Sequence, residues 1–288
     1  METPQSTGCV GVAWGTMLVG LLLSIVTING VNVMPAPGAE SSVEMIAPDA
    51  AIWSPTDLDW DAAMYDLSQG DYSAPRAAVP PMIDGVGDDS AWAVAEWRAI
   101  QFQWLGDTPL TDADFMGRYK IVWTPDRLYY LVEIYDDMLS DVRADPFDQY
   151  WEDDTLEVFV DEDQSGGSHR FDHSAFAYHI SLSYDVVDLG ITESPILFND
   201  HIEVQRGDRG RLSTWEFSVL VYDDSYQQFS NDNVPVELEA GKVMGFALAY
   251  CDSDETGTRE HFIGTYGGPN ALDAWLDAGL FGTLTLIP

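Results

Sequence analysis

Residues Tyr150 to Gly167 read YWEDDTLEVFVDEDQSGG: an indole and three acids run into an apolar stretch that ends in a second acidic, Gly-rich turn. Side chains two apart share a face of a strand. A strand extending back to Trp151 would therefore present Trp151, Asp153, Thr155, Glu157 and Phe159 on one exposed face, opposite Leu156, Val158 and Val160. An indole beside carboxylates is a means of gripping a sugar, whose C–H groups stack on the ring while its hydroxyls donate to the acids. The plainer reading has Trp151 capping a core and Glu157 solvated, since aromatics are usually packing and exposed acids are common.

The turn that follows offers different chemistry. Counted from Asp161, oxygen-bearing side chains fall at Asp161, Asp163, Ser165 and Asp172, with Gly166 at the sixth place, which is much of a calcium-binding loop. The loop lacks the closing Glu and sits between strands, so an acidic hairpin is the competing reading. A glycosidase would require two carboxylates of unequal pKa, and among 49 acids no pair is singled out for it. His169, His173 and His179 are too loosely spaced to define a zinc or catalytic site, and no nucleophile elbow, zinc-protease helix or phosphate loop occurs. Cys9 and Cys251 show no paired-cysteine motif.

The elements that must position these residues are strands. GRYKIVW and LYYLVEIYDD flank TPDR as a hairpin, and TLEVFV, FAYHISLSY, DVVDLG, HIEVQRG, LSTWEFSVLV, KVMGFALAY, EHFIGTY and GTLTLIP follow. Short alternating runs with polar turns imply an all-β fold, an antiparallel sandwich of jelly-roll type, with brief helical turns near 89–97 and 270–277. Ahead of it, Gly8 to Ile28 is 21 residues without a charge, expected to form a hydrophobic helix. It reads as a cleaved signal peptide or a membrane anchor, with a buried core helix as the third reading. The division is 1–39 for this segment, 40–71 for an acidic linker and 72–288 for the sandwich. The acidic body is then expected outside the cytoplasm, whether secreted, periplasmic or held at the cell envelope. A net charge of −37 argues against nucleic acid and anionic membrane faces as partners, and suits high salt or bound cations.

Four blocks carry a family resemblance: PPMIDGVGDDSAW, YKIVWTPDRLYYLVEIYDD, YWEDDTLEVFVDED and DAWLDAGLFGTLTLIP. In order and spacing they resemble the family-9 carbohydrate-binding modules and their DOMON-like relatives over Tyr72 to Pro288. The resemblance implies a calcium-containing β-sandwich that binds a poly- or oligosaccharide between two Trp rings without catalysis, and the chain is expected to be a monomer. Trp151 and Trp275 would be the rings and Glu157 the acceptor of sugar hydroxyls. Where the family's binding strand carries an amide, this chain has Ala249, with Tyr250 and Cys251 beside it; Tyr178 and His179 are candidate substitutes. Some DOMON-like relatives instead hold haem b between Met and His or Lys, which would draw on Met82, Met116, Met138, His179 or His201. A glycoside hydrolase using its own acids is the other alternative.

Overall fold

The computed structural model describes Leu58, Trp60 and residues 70–254 and 257–288. The apolar segment at 8–28, the cleavage region near Ala39 and most of the 40–71 linker lie outside the described residues. Fourteen strands form in chain order: β1 (Tyr72–Pro75), β2 (Arg98–Ile100), β3 (Phe102–Leu105), β4 (Phe115–Thr124), β5 (Arg127–Asp136), β6 (Thr155–Asp161) and β7 (Phe176–Ser181), then β8 (Val186–Leu189), β9 (Pro195–Leu197), β10 (Ile202–Arg209), β11 (Leu212–Val219), β12 (Val243–Asp252), β13 (His261–Gly264) and β14 (Gly282–Ile287). They make two sheets. The smaller runs β10-β11-β5-β4-β2, and the larger runs β1-β14-β12-β6-β7-β8-β9 with β13 and β3 branching from β12. All pairings are antiparallel except that of β1 with β14.

The alternation in the sequence is what lets the sheets stack. Leu128, Tyr130, Val132 and Ile134 of β5 face inward against Leu156, Val158 and Val160 of β6, with the rings of Tyr130 and Phe217 stacked at 4.6 Å. Pro125 and Asp126 form the two-residue connection of the β4–β5 hairpin, where Thr124 donates to Asp126 at 2.5 Å. The helical turns are 3₁₀, at Ser90–Val94 and Ala271–Trp275. β2, β3 and β9 are three or four residues long, too short to show a period, and the sequence reading missed them.

Both outer faces are covered as well, which is why β6 is buried along its whole length. On the small sheet, Val122, Tyr129 and Leu131 pack beneath Ala77 and Trp92. There Glu216 accepts from the amides of Gly85 and Val86 (2.9 and 3.2 Å) and from Trp92 Nε1 (2.8 Å). Gly85 is required, because it has φ +77° and a Cβ would lie 2.6 Å from Gly207 N. The I-D-G…A-W block of the sequence is therefore a structural latch.

On the large sheet, Phe159, Ala177, Ala247, Ala249 and Cys251 form the floor of a second apolar layer roofed by Ala271, Ala274, Ala278 and Phe281. Trp104 of β3 closes one side of this layer, its ring lying directly over Gly264. A Cβ there would stand 2.0 Å from the ring. Gly264→Ala is expected to cost about 3 kcal/mol through overpacking. Chemical denaturation measures it, and an unchanged midpoint would show that the ring is free to move aside.

Candidate functional site

The outer layer of the large sheet carries the residues singled out by type, in a different arrangement from the one expected. The strand begins at Thr155, so Trp151 and Asp153 belong to a turn. Asp153 is turned inward, taking the Arg143 guanidinium at 3.0 Å and the Arg143 amide at 2.9 Å. Thr155, Glu157 and Phe159 do share a face, but it is covered, each being at most 1% exposed. Trp151 is half-buried against the second layer, edge-on to Tyr150 at 5.0 Å, and its Nε1 donates to Glu152 at 3.0 Å. Trp275 ends the 3₁₀ turn of the roof and is 39% exposed. Both indoles therefore stand at the same outer layer.

Glu157 is the centre of a buried charge network. Its Oε1 meets His179 Nε2 at 2.9 Å, Cys251 Sγ at 3.0 Å and Arg259 Nη1 at 3.9 Å. Burial alone would raise its pKa, but the His179 and Arg259 charges outweigh burial and hold the carboxyl below its usual range. Burial, then the Glu157 charge, push the Cys251 thiol well up. Ala249 sits directly across from Glu157 in the β12–β6 register and presents only a methyl group there.

Arg259, which the sequence reading missed, stacks at 4.5 Å over Phe262 and donates to Cys251 at 3.2 Å. The available signal was a lone cation within the acidic run CDSDETGTRE of a chain poor in bases. Glu157→Gln leaves Arg259 without its buried counter-charge and is expected to cost about 3 kcal/mol at neutral pH. Because the folded pKa is depressed, this stability is present above the unfolded value near ~4.3 and is lost as pH falls through the folded pKa. Denaturation of both proteins from pH 7 to 3 should show the gap closing in acid; a gap constant with pH would refute the charge pairing.

Other expectations need correction. Tyr178 points into the inter-sheet core at 1% exposure, its hydroxyl bonded to His201 Nδ1 at 2.7 Å, on the opposite face of β7 from Glu157. It cannot contact a ligand on the outer layer. His201 is thereby engaged, and Met82 is 65% exposed, so these two make no haem clamp. His169 bonds the Ala274 carbonyl at 3.0 Å and His173 the Gln228 side chain at 3.2 Å.

The four expected metal ligands are only partly assembled. Asp161 accepts from the Gly166 amide at 2.8 Å and Asp163 from the Ser165 amide at 2.9 Å, as in an acidic hairpin, while Asp172 turns away to Ser174 at 2.7 Å. A denser cluster lies elsewhere. Asp136 at the end of β5, Asp252 at the end of β12 and Asp154 just before β6 bring carboxylate oxygens within 4.8 Å of one another, all three buried. Asp154 accepts from the amides of Ser140 (2.6 Å) and Ser253 (2.8 Å), Asp136 from the Tyr250 hydroxyl (2.9 Å), and Asp252 meets His261 Nδ1 at 3.1 Å. Burial first, then mutual repulsion, push the Asp136 and Asp154 carboxyls well up. The hydroxyls of Ser140 and Ser253 are buried with no partner.

The architecture is a two-sheet β-sandwich whose larger sheet carries Trp151 and the Trp275 turn on its outer layer. The chain belongs to the family described as carbohydrate family 9 binding domain-like, whose model matches residues 83–288. It is 25% identical over 209 residues to exoglucanase XynX of Acetivibrio thermocellus, covering 72% of this chain and 16% of that protein. It is 23% identical over 207 residues to endo-1,4-beta-xylanase A of Thermotoga maritima, covering 72% and 17%. The chain thus spans only a small part of these relatives. Among solved structures, a family 9 module from Caldicellulosiruptor kristjanssonii in complex with cellotriose superposes with a TM-score of 0.55 at 18% identity, over 75% of this chain and 93% of the other. The same module with glucose gives 0.54 at 18%, over 74% and 95%. These likenesses establish the sandwich fold.

Proposed function

We propose that this protein binds a β-linked glucan or xylan, stacking a sugar unit on Trp151 and Trp275 without cleaving it. The observation that carries the reading is that the outer layer of the large sheet carries two indoles, Trp151 packed against it and Trp275 exposed at the end of a roof turn. Stacking supplies affinity for the apolar face of a pyranose, and fixed donors supply orientation. With Glu157 Oε1 taken by His179, Cys251 and Arg259, the acid positions Arg259, whose guanidinium donates to the sugar hydroxyls. Family membership supports carbohydrate as the ligand class, and the named relatives favour glucan or xylan. A setting outside the cytoplasm, where such polymers occur, accords with the long apolar segment at 8–28.

Calcium belongs to this reading as a structural ion, placed at Asp136, Asp154 and Asp252 and not in the hairpin after β6. The residues fit a hard cation: three buried carboxylates converge, and two buried seryl hydroxyls lack any other partner. When bound, the ion would cancel the repulsion among the acids and join the ends of β5 and β12.

The test is a fluorescence titration of the full-length chain in calcium against xylan, cellulose and short gluco-, xylo- and galacto-oligosaccharides. A saturable change in Trp emission, with no release of reducing ends, is the expected result. A flat response across the panel would overturn the binding function, and steady release of reducing ends would make the protein an enzyme.

A further inference from the structure

On the β3 side of the second layer lies an open groove of about 380 Å³ that none of the residues considered so far explains. Its walls are Gln101, Phe102 and Trp104 on one side and the Gly267–Leu272 segment on the other. Three features distinguish it. First, no charged side chain lines it, in a chain carrying 49 acids. Second, Gln101 Nε2 is buried and has no hydrogen-bond partner, although such a donor ordinarily finds one. Gln103, by contrast, is saturated: its amide donates to the Gly106 and Thr108 carbonyls and accepts from the Leu110 amide. Third, two aromatic rings are held in place. Trp104 donates to the Tyr266 carbonyl at 2.6 Å, and the Phe102 ring lies so close over Gly267 that a Cβ there would stand 2.7 Å from it.

A floor of fixed rings, an unspent amide donor and an uncharged lining suit a neutral polyhydroxylated ligand. An anion would find no cation here, and a cation no carboxylate. A purely apolar ligand would leave the Gln101 amide unpaired. We propose that this groove is a second carbohydrate subsite, taking an uncharged sugar unit on Phe102 and Trp104 with Gln101 Nε2 donating to a hydroxyl. For its ligand class the inference rests on the function proposed above; its location is independent of Trp151, Glu157 and Arg259. Asn270 at the groove and Trp275 are opposite ends of one 3₁₀ turn. At about 2 Å rise per residue the two ends lie about 10 Å apart along the turn. One oligosaccharide is long enough to reach both.

Gln101→Leu tests the idea without threatening the fold, since it keeps a side chain of similar bulk and removes a buried N–H donor that lacks a partner; its melting temperature is expected to equal or exceed that of the parent. The full-length protein, isotope-labelled for NMR, is titrated with glucose, cellohexaose and xylohexaose, in the parent, in Gln101→Leu, in the Trp151→Ala/Trp275→Ala pair, and in all three changes together. One or both hexasaccharides should shift the Gln101 side-chain amide and the Trp104 indole, and Gln101→Leu should weaken binding of the shifting one about tenfold, the worth of one lost hydrogen bond. The pair variant should keep a weak hexasaccharide affinity that the triple variant loses. Unmoved Gln101 and Trp104 resonances at saturation, or unchanged affinity in Gln101→Leu, overturns the groove while leaving the indole pair standing. Binding that depends on Gln101 but not on the indoles overturns the pair and keeps the groove. No response in any protein overturns both.

Discussion

Alanine at both Trp151 and Trp275 is expected to weaken binding to any glucan or xylan fragment that the parent holds by up to about a thousandfold, leaving only a weak residual affinity for the longer ones. A buried aromatic anchor in a binding site is worth about 2 kcal/mol or more, or roughly thirtyfold in Kd. Two such anchors together approach a thousandfold if their effects add. The two single variants separate function from folding. Trp275 is 39% exposed at the end of its turn, so its loss should scarcely alter the melting temperature. Trp151 contributes to the second layer, and its loss should cost some stability along with affinity. Equal Kd values for parent and double variant, measured by titration calorimetry, would place the ligand elsewhere and leave the indoles as packing.

Removal of calcium is expected to lower the melting temperature by about 5–10 °C at neutral pH. An ion bound only to the folded state, at a hundredfold excess over its Kd, stabilises by about 2.7 kcal/mol. For a domain of this size each kcal/mol shifts the midpoint by about 2–4 °C. Calorimetric scans with excess calcium and with chelator give the difference directly. Asp154→Asn should bring the calcium-loaded protein close to the chelated one, because Asp154 converges with Asp136 and Asp252 and its two oxygens are fixed by the Ser140 and Ser253 amides. A melt indifferent to chelator would refute a structural ion there. The same scans on Asp163→Asn distinguish this site from the hairpin after β6, since only the wrong placement predicts that Asp163 matters.

The fold was legible because its long strands alternate cleanly. β4, β5, β11 and β12 each run eight to ten residues, enough for the two-residue period to stand out. What escaped was the covering of the outer faces. Alternation says which residues oppose one another, not whether the second face meets water. Here Ala247, Ala249 and the alanines of the roof bury that face, and small residues carry little hydrophobic signal. Glu157 was therefore read as exposed, although it lies in a charge network assembled from β6, β7, β12 and the loop before β13. His179 and Arg259 reach it across sequence separations that no local motif encodes. The buried acid cluster escaped the sequence for a related reason. Asp161 to Asp172 resembles a loop motif in linear spacing, whereas Asp136, Asp154 and Asp252 come from three strand ends and meet only after the sheets stack.

Arg118 of β4 points outward from the small sheet, paired with Glu133, and stands 4.0 Å from the Trp97 ring and 4.7 Å from that of Trp60. Trp60, ahead of β1, thus meets one outside surface, while Trp151 and Trp275 belong to the layer on the other. Traction between a polymer held at the indoles and the segment containing Trp60 would run through the full thickness of the sandwich, from one sheet to the other. The Asp136–Asp154–Asp252 junction lies on that load path, and a divalent ion there would act as a rivet against the sheets peeling apart.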